Sequence, residues 1–89
     1  MFIQIADGDM INFSQVDIIN VFSLKDENSI RMVFPSRMIV ELVYQNRDQC
    51  LKALESIMDA FNNGDKQHNL MKNNLQPVTV RYDRVATKL

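Results

Sequence analysis

Apolar residues recur with a helical period in one stretch of the chain, residues 46–63, NRDQCLKALESIMDAFNN. Spacings of three and four place six of them on one side of a helix of about 3.6 residues per turn: Cys50, Leu51, Leu54, Ile57, Met58 and Phe61. Asn46 has the side chain of an N-cap, and Gly64 is suited to the positive φ of a helix stop. The pattern predicts an amphipathic helix whose apolar side the rest of the chain covers.

The residues before this helix alternate with the period of two that is typical of half-buried strands. Turn signals such as Asp7-Gly8, which favours a hairpin, separate five short segments of this kind: residues 2–5, 10–13, 18–24, 30–34 and 38–44. The sequence therefore predicts an α+β fold. In it, an antiparallel β-meander of four to five short strands packs on the amphipathic helix.

The sequence DKQHNLMKNN that follows the helix is polar and has no period, so residues 65–76 are predicted to be a linker. Pro77 then introduces an alternation that predicts a further C-terminal strand at about residues 77–83. We expect a meander-plus-helix domain at 1–64, then the linker, then a strand and tail at 77–89. This last part either belongs to the same fold or is exchanged with another subunit.

Both faces of the predicted sheet carry apolar residues. Seven are assigned to the side that faces the helix: Phe22, Leu24, Ile30, Met32, Phe34, Val40 and Leu42. A second face exposed only to water would be more polar, so we expect the C-terminal segment or another subunit to cover it. The alternative is that its apolar residues are scattered and shielded by charged neighbours. The predicted protein interface combines this second face with the last strand: Ile19, Val21, Val33, Ile39, Val43, Val78, Val80 and Tyr82.

Length and composition narrow the class of protein. A chain of 89 residues with 46% hydrophobic and 24% charged residues is typical of one globular domain. No apolar run reaches the roughly 18 residues that span a bilayer, and the N-terminus lacks the pattern of a signal peptide. We therefore expect a cytoplasmic protein that does not bind a membrane.

Charge is distributed unevenly along the chain. Residues 1–64 hold five basic and nine acidic residues, a net charge of −4, whereas residues 65–89 hold five basic and two acidic residues, a net charge of +3. A basic tail on an acidic body suggests binding of nucleic acid or another anion as a second hypothesis. The basic residues proposed for such contacts are Lys72, Arg81, Arg84 and Lys88.

Candidate catalytic and metal-binding residues lack the neighbours that such chemistry requires. His68 is the single histidine and has no cysteine nearby, and Asp7-Gly8-Asp9 lacks the further oxygen ligands of a calcium loop. Cys50 lies on the apolar side of the helix, which favours a buried, unreactive thiol. We therefore expect no enzyme, no cofactor, no metal and no small-molecule ligand.

A short meander followed by a helix resembles the layout of pleckstrin-homology-like modules. The opening FIQIADGDMINFSQVDIINV, with the strands and helix after it, is similar to short proteins of phages and bacterial mobile elements. The resemblance covers residues 1–63, transfers no functional residue and implies by analogy a host protein as partner. The leading hypothesis is a non-enzymatic protein–protein interaction module, expected to be a homo-oligomer. The alternative is a small nucleic-acid-binding or regulatory protein that uses the basic tail.

Overall fold

The computed structural model describes residues 1–84. Eight regular elements lie in this part of the chain: β1 (Phe2–Ala6), β2 (Asp9–Asn12), β3 (Ile18–Leu24), β4 (Glu27–Val33), β5 (Met38–Tyr44), α1 (Arg47–Asn62), β6 (Gln67–Asn69) and β7 (Thr79–Arg84). Two short 3-10 helices are found at Phe13–Gln15 and Leu70–Asn73. The predicted α+β fold with an antiparallel sheet, one helix and a C-terminal strand is confirmed.

The strands form two sheets where the sequence predicted a single meander. β3, β4, β5 and β7 form a four-stranded antiparallel sheet in that order, and β7 pairs with β5 of the same chain. β1 pairs with β2 in an antiparallel hairpin and with β6 in parallel. The 3-10 helix at Phe13–Gln15 turns the chain between β2 and β3, so the first hairpin separates from the strands that follow it.

Residues 65–76, predicted to be a linker, contain β6 and the second 3-10 helix. Leu70 on that helix is fully buried in the core. The hydroxyl of Tyr44 donates to the carbonyl oxygen of Leu75 at 2.6 Å, and burial raises the pKa of that tyrosine well above its usual range. The pairing of β6 with β1, the buried leucine and the Tyr44 hydrogen bond together hold a segment whose sequence has no apolar period.

α1 has the boundaries that its sequence predicts. The side-chain oxygen of Asn46 accepts from the backbone amide of Gln49 at 2.8 Å, and Gly64 takes a φ of +75° after the last turn. Cys50 is fully buried, as expected, and burial raises the pKa of its thiol. α1 packs against β3, β4, β5 and β6, so it contacts both sheets and contributes to a shared core.

The buried side of α1 is rotated from the predicted one. Ala53 and Ala60 are buried, whereas Leu51 and Phe61 are 41% and 46% exposed. Small residues on the inner side let the helix axis approach the sheets, because a larger side chain there would have to be accommodated in the core. The prediction that Leu51 faces the core is therefore wrong. The ring of Phe61 is partly exposed but packs edge-on against the core residue Phe13, with 5.4 Å between the ring centroids.

The register of β3 places its side chains on the faces opposite to those predicted. Ile19 lies directly opposite Met32, which is fully buried, and opposed residues of an antiparallel pair share a face. Ile19 and Val21 therefore pack against the core. Phe22 and Leu24 lie on the outer face, so their assignment to the helix side is wrong. The sequence did not determine this choice, because β3 is apolar on both faces.

Replacing Ile57 with alanine is expected to lower the free energy of unfolding by about 2–5 kcal/mol, because it removes buried methyl and methylene groups and leaves a cavity. Ile57 is fully buried on the inner side of α1. Glu55→Ala, at an exposed position of the same helix, is the matched control and should change stability by less than about 0.5 kcal/mol. Urea denaturation followed by circular dichroism measures both. Equal losses in the two variants would contradict the role given to α1.

Candidate protein interface

β3 and β7 are the two edge strands of the four-stranded sheet. An edge strand presents unpaired amides and carbonyls that pair with a further strand unless charges, proline or a covering element prevent it. β7 carries three charged residues among its six: Arg81, Asp83 and Arg84. β3, with the sequence IINVFSL, carries no charge and no proline over seven residues. The edge without protective charges is therefore β3.

The side chains of β3 add apolar surface to this edge. Ile18, Phe22 and Leu24 share the outer face and are 55%, 44% and 60% exposed. The guanidinium group of Arg31 lies over the ring of Phe22 at 4.6 Å from its centroid, a cation–π contact that fixes the ring position. The strand thus offers backbone groups at its rim and apolar side chains beside them.

One flank of α1 borders the same edge. The Nη1 atom of Arg47 donates to the hydroxyl of Ser23 in β3 at 2.9 Å, which places this side of the helix next to β3. Leu51, Leu54 and Met58 follow Arg47 at spacings of four, three and four, so they lie on the same flank. Leu54 and Met58 are half-buried against the core. We call β3 together with Leu51, Leu54 and Met58 the edge surface.

Ion pairs cross the outer face of the sheet beside the edge surface. Glu41 lies between Arg31 and Arg81 with N–O distances of 3.3 Å to each, and its side chain is only 13% exposed. Arg81 also pairs with Glu27, and the hydroxyl of Ser29 donates to Glu41 at 3.0 Å. These contacts join β4, β5 and β7 through their side chains, and the opposite charges largely neutralise each other.

The eight residues predicted as a protein interface do not share one surface. Three pack against the core on the inner face: Ile19, Val21 and Val80. Three lie on the outer face: Val33, Ile39 and Val43. Two are exposed at or just before β7: Val78 and Tyr82. The prediction that Ile19 and Val21 belong to the same face as Val33 is wrong, because the β3 register turns both inward.

The four basic residues predicted to contact anions are also separated. Arg81 is held in ion pairs with two glutamates, and Arg84 ends β7 beside Asp83. Lys72 lies on the 3-10 helix at Leu70–Asn73 and lines a different cavity from Arg81. Lys88 lies outside the described residues. Between residues 65 and 84 the predicted anion contacts therefore occupy different parts of the surface.

A hydrogen bond joins α1 to β6 beside a cavity of about 650 Å³. The Ser56 hydroxyl and the Nε2 atom of His68 are 2.7 Å apart. These are the atoms of a nucleophile and its base, and within residues 1–84 no carboxylate bonds to the His68 ring as the third member of a triad does. No sequence motif indicated this pair, because its members lie on separate elements. The contact fastens the helix to the small sheet.

No protein-family model matches the chain, and no match is found among curated proteins or solved structures. Up to Arg84, no helix has the length and apolar character needed to cross a membrane. The same residues contain no group of three or more histidine, cysteine, aspartate or glutamate side chains placed to hold a metal ion. The edge surface is the feature from which we infer function.

Arg81→Met is expected to raise the pKa of Glu27, because a hydrogen bond from Arg81 holds that pKa below its ordinary value of 4.5. A carboxyl group with a lower pKa in the folded chain stabilises the fold above its unfolded pKa, and this contribution is lost as the pH falls through the folded value. The variant should therefore lose less stability than the native protein when the pH falls below 4.5.

Carbon-detected NMR titration of the Glu27 side chain measures the first effect, and melting temperature as a function of pH measures the second. Arg84→Met is the control, because it removes the same charge from β7 without removing the Glu27 partner. A Glu27 pKa that is the same in the native protein and in Arg81→Met would show that the ion pair does not form in solution.

Proposed function

We propose that the protein is a non-enzymatic protein–protein interaction module that binds a partner polypeptide by strand addition along β3. The observation that supports this most directly is the seven-residue edge without charge or proline. In strand addition, the free amides and carbonyls of an edge pair with those of an incoming strand, and backbone hydrogen bonds supply much of the affinity.

The contrast between the two edges of the sheet supports the choice of β3. Charged side chains on an edge strand deter pairing with other chains, and β7 carries three of them. Arg81 of β7 is already engaged by Glu27 and Glu41, so the outer side of that edge is occupied by ion pairs. β3 itself carries no charged residue.

The edge surface also provides side-chain specificity. Alternate side chains of an incoming strand point to opposite faces of the sheet. Those on the inner face would meet the flank of α1, where Leu51 is 41% exposed. Those on the outer face would meet Ile18, Phe22 and Leu24. A partner strand that is apolar on both faces fits these two sets best, because each apolar contact removes surface from water.

The separation of the basic side chains favours this proposal over nucleic-acid binding. Phosphate recognition relies on basic residues gathered on one face, whereas Arg81 is neutralised by two glutamates and Lys72 lies elsewhere. In line with the resemblance to phage and mobile-element proteins, the proposal extends to modulation of a host protein. Its proposed setting is the cytoplasm.

Photo-crosslinking in the expressing cell tests the proposal. Benzoylphenylalanine is placed at Phe22 in one variant and at Tyr82 in another, since these are exposed aromatic residues on the two opposite edge strands. Irradiation is expected to give discrete adducts from position 22 and few from position 82, because only β3 accepts a strand. The adduct masses show whether the partner is a second copy or another protein.

A second substitution on the same edge supplies the control. Asn20→Glu adds a charge to β3 on the face where Arg31 lies opposite, so the fold can accommodate it, and it should abolish the adducts from position 22. Asn20→Gln keeps the added length without the charge and should preserve them. Adducts of equal yield from positions 22 and 82, or adducts insensitive to Asn20→Glu, would refute strand addition at β3.

A further inference from the structure

We infer that the strand added to β3 is the β3 of a second copy of this chain. The two strands pair antiparallel about a twofold axis at Val21 and join two four-stranded sheets into one sheet of eight strands. The inference rests on the proposed function and names its partner. Five features of the described residues carry it: the pairing register, the end charges, the helix flank, the absence of charge along β3, and the exposure of Ile18 and Leu24.

The register follows from the residues of β3. A strand paired antiparallel with its own copy is complementary to itself about a twofold axis. With Val21 opposite its own copy, all seven residues pair, and Ile18 lies opposite Leu24 at both ends. These are the two most exposed apolar side chains of β3, at 55% and 60%. A shift of two residues in either direction would leave one of them outside the pairing.

The charges that flank β3 select the same arrangement. Asp17 immediately precedes the strand and Lys25 immediately follows it, and both are exposed. Lys25 begins the turn between β3 and β4, with a φ of +56°. In the Val21 register it lies at the same end of the paired strands as Asp17 of the other copy, so each end brings these two opposite charges near each other. Parallel pairing would set each residue beside its own like charge, which is unfavourable.

The flank of α1 supplies the apolar area that strand pairing lacks. A twofold axis perpendicular to the sheet keeps both helices on the same side of it, so Leu51, Leu54 and Met58 of one copy face the same residues of the other. Specific interfaces bury at least about 1,000 Å² in total, more than the rim of one strand provides. Arg47 of one copy does not come close to Arg47 of the other, because each is held by the Ser23 of its own copy. In the Val21 register the two Ser23 residues lie four positions apart along the strands, roughly 14 Å at about 3.4 Å per residue.

Charge exchange at the two paired positions tests the inference. Ile18→Lys combined with Leu24→Lys sets like charges opposite each other at both ends, and the dissociation constant of the dimer should rise about tenfold or more. Ile18→Lys combined with Leu24→Glu sets opposite charges together and should restore dimerisation. Both side chains are more than half exposed, so the fold of each copy is preserved, and circular dichroism verifies this.

Sedimentation equilibrium over a concentration series measures the mass, which should rise from 10.4 kDa toward twice that value for the native chain and for the Lys/Glu pair. A native chain that stays at 10.4 kDa overturns self-pairing, and crosslinks from position 22 to another protein would then leave strand addition intact. A dimer that both double variants disrupt equally, or that neither disrupts, overturns the Val21 register. The absence of any adduct from position 22 would refute the proposed function itself.

Discussion

The antiparallel register between β3 and β4 determines which residues of β3 pack against the core and which face outward. Because Ile19 lies opposite Met32, one row of β3 closes the core beneath α1 and the other row faces outward. A shift of one residue would exchange the two rows, since side chains in a strand alternate with a period of two. Both rows are apolar, so this strand has a hydrophobic residue to expose in either register.

The small sheet and α1 bury the inner face of the four-stranded sheet without covering its β3 edge. Ile3 and Ile5 of the small sheet, Ile57 of the helix and Leu70 of the second 3-10 helix meet in a single core. The hydrogen bond between Ser56 and β6 fixes one flank of the helix to the small sheet. The opposite flank lies about 140–160° around the helix axis, at about 100° per residue, and is left beside β3. The packing that completes the core therefore also creates the edge surface.

Local signals predicted the elements, and contacts distant in sequence decided their arrangement. The Asn46 cap and the Gly64 stop set the helix boundaries within a few residues of chain, which is why they could be read from sequence. The parallel pairing of Phe2 with Gln67 could not, because it joins segments separated by most of the chain. The uncharged character of β3 was visible in the sequence, but its position at the edge of a sheet depends on strand order, which no local pattern encodes.

Under the proposed strand addition, the placement of apolar residues on β3 links stability to assembly. Burial of apolar surface stabilises a fold by about 25 cal/mol per Å². Ile18 and Leu24 leave more than half of their surface exposed, so they contribute little to the stability of a single copy. Edge residues that only prevent pairing with other chains are typically charged, as on β7. A strand that binds the folded chain stabilises it by mass action, which makes the apparent stability depend on the concentration of the partner. In this proposal, the same seven residues help to close the core on one face and meet the partner on the other.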